Sequence, residues 1–394
     1  MPATETHDVI IVGGGPAGST CAWRLMQAGF DVLVIDKRTF PRNKVCAGWV
    51  TPQVFESLQI EPSEYGQVCQ PITGFRTGII GGEEVTTRYD HTVSYGIRRV
   101  EFDHYLLERS GARCRLGESV RQIERRDGLW VINEMLMAPM LVGAGGNFCP
   151  VARMLGAQGR VGESKVVAQE AEFPMTRKQQ SQVDIEGDTP ELFFCDDLRG
   201  YGWCVRKGDY LNVGLGRVDP QRLSAHVADF REFLRERGKI GFEIASRFEG
   251  HAYRLYEGEP PRFFDDGVLL IGDAAGLAYP QSGEGIRPAI ESGMLAADAI
   301  VNANGRYERE QLAPYESAVV SRLGQPRKRS QSDWLPASWL HGLASKLMAT
   351  RWFARRIVMD RWFLHSGKPA LLGNLPMSNI RSTLARDQAL PRFL

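Results

Sequence analysis

The sequence predicts an α/β protein (α+β overall): a parallel sheet of the dinucleotide-binding kind, a second domain on an antiparallel sheet, and a helical C-terminus. Three observations carry this. The chain opens on Val9–Asp36, VIIVGGGPAGSTCAWRLMQAGFDVLVID, where an apolar run, a glycine turn, a helix-like stretch, a second apolar run and a carboxylate follow in βαβ order. The middle of the chain turns to short strand-like pieces broken by polar loops. Gly267–Ile271 then returns to a buried-strand pattern and runs into Gly272-Asp273.

The opening unit is the most specific. Gly13, Gly15 and Gly18 make G-x-G-x-x-G directly after Val9–Val12. Gly13 suits a tight turn, Gly15 lets a pyrophosphate reach the backbone, and Gly18 lets the helix close on the sheet. The helix opens at Pro16–Ala17, where free backbone N–H groups and the helix dipole favour an anion. Asp36 ends the second strand, placed to accept both hydroxyls of an adenosine ribose. This is the Rossmann-like signature, with its acid at the right distance.

The remaining elements follow in order. Lys37–Val45 is a polar loop leading to Cys46-Ala47-Gly48. A helix from Thr51–Pro52 to Leu58 starts on a plausible N-cap and a proline suited to the first turn. Gly74–Ile80, Glu84–Arg88 and Thr92–Gly96 read as strands. Arg98–Gly111 reads as a helix with Phe102, Tyr105 and Leu106 inward. Arg113–Leu116, Glu118–Arg125 and Leu129–Ile132 read as a small meander, and Met140–Ala144 as a buried strand. Val166–Phe173, Glu191–Phe194, Gly202–Val205 and Leu211–Leu215 suggest an antiparallel sheet crossed by one helix, Pro220–Arg237. Gly283–Ala299 reads as a long helix. The expected domains are 1–66, 92–160 and 260–320 for the dinucleotide, 67–91 and 161–259 for the substrate, and a C-terminal region, 321–394.

Composition bounds the rest. A chain of 394 residues has room for two or three domains. Its net charge of +1 gives no field that favours nucleic acid. Seven scattered cysteines without a C-x-x-C pair argue against a zinc site and a disulfide framework, and fit a reducing cytoplasm. No metal site is expected. The N-terminus lacks a signal-peptide pattern, and no window is apolar for long enough to span a bilayer. Arg322–Arg361 is the outlier, with nine basic residues against two acids and interleaved Trp334, Trp339, Trp352, Phe353, Trp362 and Phe363. Leu340, Leu343, Leu347, Ala354 and Val358 share a helical face there, interrupted by Arg351 and Arg355. A lid packed on the body is the favoured reading, with peripheral membrane contact as its alternative.

The opening unit, Arg99-x-x-Phe102-Asp103 and Gly272-Asp273 together resemble the flavoprotein superfamily typified by aromatic hydroxylases. The resemblance implies FAD as cofactor. It implies that Gly13, Gly15, Pro16, Ala17 and Gly18 hold the pyrophosphate, Asp36 the ribose, Arg99 the phosphates and Asp273, after Gly272, a ribityl hydroxyl. Arg98 adjoins Arg99 and could exchange roles with it. Pro41–Gly48, Gly200–Val205 with Asn212–Gly216, and Pro280–Ile286 resemble three segments of geranylgeranyl reductases. They add Lys44, Cys46, Ala47, Gly283, Gly285 and Ile286 to the expected cofactor site, and Lys37, next to Asp36, is expected there too. Ala47, Arg206 and Gly145-Gly146 depart from that family's usual glycine, proline and Asp-Gly.

The resemblance implies reduction of carbon–carbon double bonds in an apolar prenyl or polyene substrate by hydride from reduced flavin. Cys46 is then expected near the flavin as proton donor or redox thiol, or as a buried filler. Tyr201 and Trp203 are expected to line an apolar tunnel or serve as core aromatics. The alternatives are a monooxygenase or halogenase working through a C4a-hydroperoxide, and a membrane-peripheral flavoprotein without such catalysis. Lys44 and Lys207 read as structural or solvated rather than as a halogenase lysine. NAD(P)H or another reduced donor would supply electrons, since no second G-x-G-x-x-G sits in a βαβ context. The expected location is cytoplasmic, or membrane-associated on the cytoplasmic face; oligomeric state is silent.

Overall fold

The computed structural model describes residues 4–158, 163–219, 221–327 and 346–373. The apolar runs that the sequence marks as buried strands pair side by side. Phe264–Asp265, Val268–Leu270, Met140–Gly143, Val9–Val12, Val32–Asp36 and Arg113–Leu116 form a six-stranded sheet in that order. All neighbours are parallel except the first pair. In register, Val12 faces Ile35 and Gly143, and Gly143 faces Leu270. The strands therefore end together, and the three turns that follow them share one edge, where open α/β sheets bind ligands.

The helix Pro16–Gln27 lies between this sheet and the helix Ile286–Asn302. Gly293 makes the approach possible: a side-chain carbon there would fall 2.5 Å from the Ala17 carbonyl oxygen. Ile286–Asn302 starts three residues later than the sequence suggests, because Gly283–Gly285 form the turn that precedes it. Arg99–Arg109 packs on the other flank of Pro16–Gln27, and Gly111 follows with φ +67°.

Seven strands make the second sheet, in the order Glu249–Arg254, Lys165–Pro174, Tyr210–Arg217, Gly200–Lys207, Glu191–Phe194, Gly74–Ile79 and Glu84–Arg88. Only Glu191–Phe194 and Gly74–Ile79 pair in parallel. Alternation gives each strand two apolar faces. One face packs Phe193 and Val213 against Phe230 and Phe233 of the helix Leu223–Glu236. The other carries Phe75, Leu192, Phe194 and Trp203, joined by Trp49 and by Phe363 from the C-terminus. Trp203 fits because Gly214 faces it: a side-chain carbon at Gly214 would lie 2.3 Å from the indole.

Several sequence expectations are corrected. The predicted strand Glu118–Arg125 begins only at Ile123, since Asn133 Oδ1 takes the Arg121 N–H and holds that stretch as a loop. Ile123–Arg126 joins a four-stranded sheet completed by Leu129–Ile132, Leu136–Ala138 and the unforeseen Glu5–Thr6. Thr51 precedes its helix but makes no capping bond. The C-terminal wheel also fails as one face. Ala354 and Val358 are buried, whereas Leu347 is exposed, because Thr350 ends one turn and caps the next. Leu340, Leu343, Trp334 and Trp339 lie outside the described residues. The described part of this region packs Met348, Val358, Met359, Phe363 and Leu364 onto the second sheet and leaves Arg351, Arg355, Arg356 and Arg361 in solvent. Among the described residues no helix is long and apolar enough to cross a membrane.

Candidate functional site

A cleft of about 690 Å³ runs along the shared strand edge of the parallel sheet and under the aromatic face of the second sheet. Its size falls within the roughly 300–1,000 Å³ of cofactor and ligand sites. Of the residues singled out from the sequence, Gly13, Pro16, Ala17, Asp36, Lys37, Lys44, Cys46, Ala47, Arg99, Tyr201, Trp203, Asp273, Gly283, Gly285 and Ile286 line it. Gly15, Gly18 and Gly272 shape it from behind.

At the first end, Gly13 takes φ +118°, and a side-chain carbon would lie 2.3 Å from the Ala144 carbonyl oxygen. At Gly18 the same atom would lie 1.9 Å from the Gly13 carbonyl oxygen. Gly15 is open by contrast, its nearest neighbour being Arg42 Nη2 at 3.4 Å from the added carbon. No side chain caps Pro16–Gln27, so its first-turn N–H groups keep their anion-binding capacity. Asp36 has a second duty. Its carboxylate accepts the Gly14 N–H at 2.8 Å and the Arg38 N–H at 2.9 Å, fixing the glycine turn while each oxygen keeps a free lone pair. Lys37 sits exposed beside it at the rim.

The two arginines part company. Arg99 lines the cleft, with Nε and Nη2 donating to Asp103 at 2.7 and 2.8 Å. Arg98 is not interchangeable with it: it turns to Glu101 and Glu172 and stacks 3.6 Å over the Tyr210 ring. Arg42, missed in the sequence, reaches Asp103 at 3.2 Å and lies beside Gly15. Arg42 and Arg99 thus share one fully buried carboxylate, and two cations against one anion leave net positive charge facing the glycine turn.

Asp273 lies where the second and first sheets meet. Lys44 Nζ is 3.7 Å away, and His251, itself in contact with Lys44, reaches it from the second sheet. Burial raises the Asp273 pKa, but neighbouring His251 and the Lys44 charge outweigh it and hold the carboxyl at about 2. Lys44 is pulled down to about 8, chiefly by burial. A carbon at Gly285 would lie 3.2 Å from Asp273 Oδ1, so this turn passes directly over the carboxylate.

Cys46 sits on the loop between the two sheets. Its N–H donates to Glu170 at 2.6 Å, and its sulfur meets the Arg99 guanidinium. Behind it, Lys207 Nζ bonds Glu172 at 2.7 Å and is fully buried. Both lysines weighed at the sequence level are thus tied to carboxylates. Tyr201 donates its hydroxyl to the Ser282 carbonyl at 2.5 Å and packs on Phe363, ring centres 5.3 Å apart. Trp203 donates Nε1 to Asn212 at 2.7 Å. Both aromatics are core and cleft wall at once.

The residues missed were Arg42, Asp103, His251, Glu284 and Phe363. Lys44 and His251 stand 207 positions apart, so no local spacing could join them. Glu284 and Asp103 stood inside motifs already noticed, yet only the full burial of Asp103 and the place of half-buried Glu284 in the cleft wall give them weight.

The arrangement fits FAD. It offers bare N–H groups beside two arginines for a pyrophosphate, a carboxylate at each end for hydroxyls, and glycine turns that leave the backbone uncovered. A family model described as FAD-dependent oxidoreductase matches residues 8–79. A menaquinone reductase of Mycobacterium tuberculosis is 30% identical over 321 residues, covering 76% of this chain and 78% of that protein. A geranylgeranyl diphosphate reductase of Rhodobacter capsulatus is 28% identical over 308 residues, 74% of each. The solved structure of a geranylgeranyl bacteriochlorophyll reductase-like protein from Thermoplasma acidophilum superposes with a TM-score of 0.69 at 20% identity, covering 88% of this chain and 89% of that one. The 30% identity to the menaquinone reductase over three quarters of both chains, together with the glycine turn and the late Gly-Asp turn, shows that the chain belongs to this family of FAD-dependent oxidoreductases, which also resembles the geranylgeranyl reductases.

Proposed function

We propose that the protein saturates carbon–carbon double bonds of an apolar prenyl or polyene substrate. The observation that carries this is the wall opposite the polar turns. Trp49, Tyr201, Trp203 and Phe363 form a continuous aromatic surface on the cleft. Such a surface holds a hydrocarbon chain and excludes water. FAD held here would, when reduced, supply the hydride. Gly13, Gly15, Pro16, Ala17, Gly18, Arg42 and Arg99 would bind its phosphates, Asp36 its ribose, and Asp273 its ribityl chain. Lys44 and His251 keep Asp273 ionised as an acceptor. NAD(P)H or another donor would recharge the flavin.

The test is anaerobic. Reduced protein mixed with a geranylgeranyl-bearing substrate is expected to reoxidise and return a product heavier by two hydrogens. Reoxidation that waits for oxygen, with oxygen in the product, would sink the reading. Phe363→Ala is expected to raise KM for a long chain about tenfold with FAD retained, since a buried apolar side chain is worth about 1.5–3 kcal/mol.

A second observation supports contact with a membrane surface. The segment that supplies Phe363 also turns Arg351, Trp352, Arg355, Arg356 and Arg361 outward, with Trp352 66% exposed. Exposed tryptophan among arginines suits an anionic lipid interface, on the cytoplasmic face. Flotation with anionic vesicles is expected to carry the protein, and Trp352→Ser with Arg355→Ser to release it. Failure of the parent protein to float removes the idea.

A further inference from the structure

Saturating a double bond needs a proton as well as a hydride, and the cleft presents five carboxyl groups: Asp36, Glu118, Glu249, Asp273 and Glu284. Four are poorly suited. Asp36 holds the glycine turn, and Glu118 lies 3.6 Å from Arg115 beside it. Glu249 is exposed at the rim, and Asp273 is held as an anion by Lys44 and His251.

Glu284 differs. Its Oε1 accepts the Arg287 N–H at 2.7 Å, while its second oxygen has no protein partner among the described residues. The backbone beneath it is rigid: its N–H donates to Ser282 Oγ at 3.2 Å and its carbonyl accepts the Tyr279 N–H at 2.9 Å. Its neighbours on either side are the two halves of the cleft. Gly283 abuts Tyr253 of the second sheet, and Gly285 abuts Asp273. The preceding residue, Ser282, takes the Tyr201 hydroxyl. Glu284 therefore stands where the polar end of the cleft meets the aromatic wall.

We propose that Glu284 donates the proton in double-bond reduction, a role that rests on the reading above. The carbon that does not receive the hydride takes the Glu284 proton: the O–H bond breaks, a C–H bond forms, and the alkene π bond is consumed. The carboxylate left behind recovers a proton from water. The hydride pair comes from reduced flavin, recharged by a nicotinamide or an equivalent two-electron donor. The charged and titratable groups around Glu284 are Arg287 and Glu291 on the helix that follows it, Tyr279 before it, Tyr201 on the second sheet and Lys368 on the C-terminal segment. Burial dominates and lifts Glu284 to about 7, against the Arg287 N–H and charge, so the acid form persists to neutrality. Cys46 is the rival donor, lining the cleft beside Arg99.

The experiment compares wild type, E284Q and E284D as holoenzymes in anaerobic single turnover, alongside infrared spectra of each at pH 6 and pH 8. E284Q should keep its flavin absorbance and lose about a hundredfold in rate, the usual size of a general-acid contribution. E284D should retain part of the rate, and the wild-type decline above about pH 7 should vanish in E284Q. The protonated-carboxyl signal lost between pH 6 and pH 8 should shrink in E284Q by the component that titrates near 7, leaving the part from Glu170, itself raised to about 8. If E284Q keeps pace with wild type, or the signal in it is unchanged, Glu284 is not the donor while the double-bond reading stands. If wild type itself reduces no polyene, that reading falls and takes this assignment with it.

Discussion

Asp273→Ala protein is expected to purify without flavin, its FAD Kd raised roughly a hundredfold or more, as removal of a charged hydrogen-bonding partner costs about 2–5 kcal/mol. The reason lies in the contacts of Asp273. Lys44 at 3.7 Å and His251 at 4.0 Å converge on one carboxylate, and without it the Lys44 charge loses its counter-ion inside the cleft. Flavin absorbance of the purified variant, then titration with FAD, measures the loss; full flavin content would refute the anchor. The same pair makes a pH prediction. A carboxyl held at about 2 against an ordinary 3.8 contributes stability that is fully present above pH 3.8 and fades as pH falls toward 2. Denaturant midpoints of wild type should therefore drop across that window more steeply than those of Asp273→Asn.

Asp103→Ala is the second large effect. Asp103 is fully buried, bonded twice to Arg99 and 3.2 Å from Arg42. Removing it strands a buried guanidinium, which costs about 3–5 kcal/mol. A fall in urea midpoint at unchanged m would show it. The exposed pair Arg88–Glu186 is the control, 2.6 Å apart but half in solvent on both sides. Glu186→Ala should cost less than about 1 kcal/mol. Equal losses at the two sites would mean that Asp103 does not organise the cleft.

These two carboxylates show how legible the site was. Both stand in motifs visible in the sequence, Arg99-x-x-Phe102-Asp103 and Gly272-Asp273. Reading along the chain, Arg99 was the functional half of the first and Asp103 only its neighbour. The fold reverses the emphasis, since burial makes Asp103 the residue that two arginines depend on. Arg98 and Arg99 are equivalent in sequence yet part company, because Arg98 precedes the helix in extended backbone while Arg99 is its first residue, and only Arg99 meets the cleft.

The sequence by itself determined the opening βαβ unit, because glycine geometry and strand burial are local demands that few residues meet. It determined the strand-turn at Gly272-Asp273 and the aromatic strand Tyr201–Trp203 for the same reason, and through its resemblance it pointed to FAD. Tertiary structure alone decided what those pieces do to one another. His251 meets Lys44, Phe363 closes the aromatic wall, and half-buried Glu284 stands in the turn between the Tyr201 contact of Ser282 and the Asp273 contact of Gly285. Such contacts join positions separated by most of the chain. Their strength comes from desolvation, a property of the packed cleft that no stretch of sequence carries.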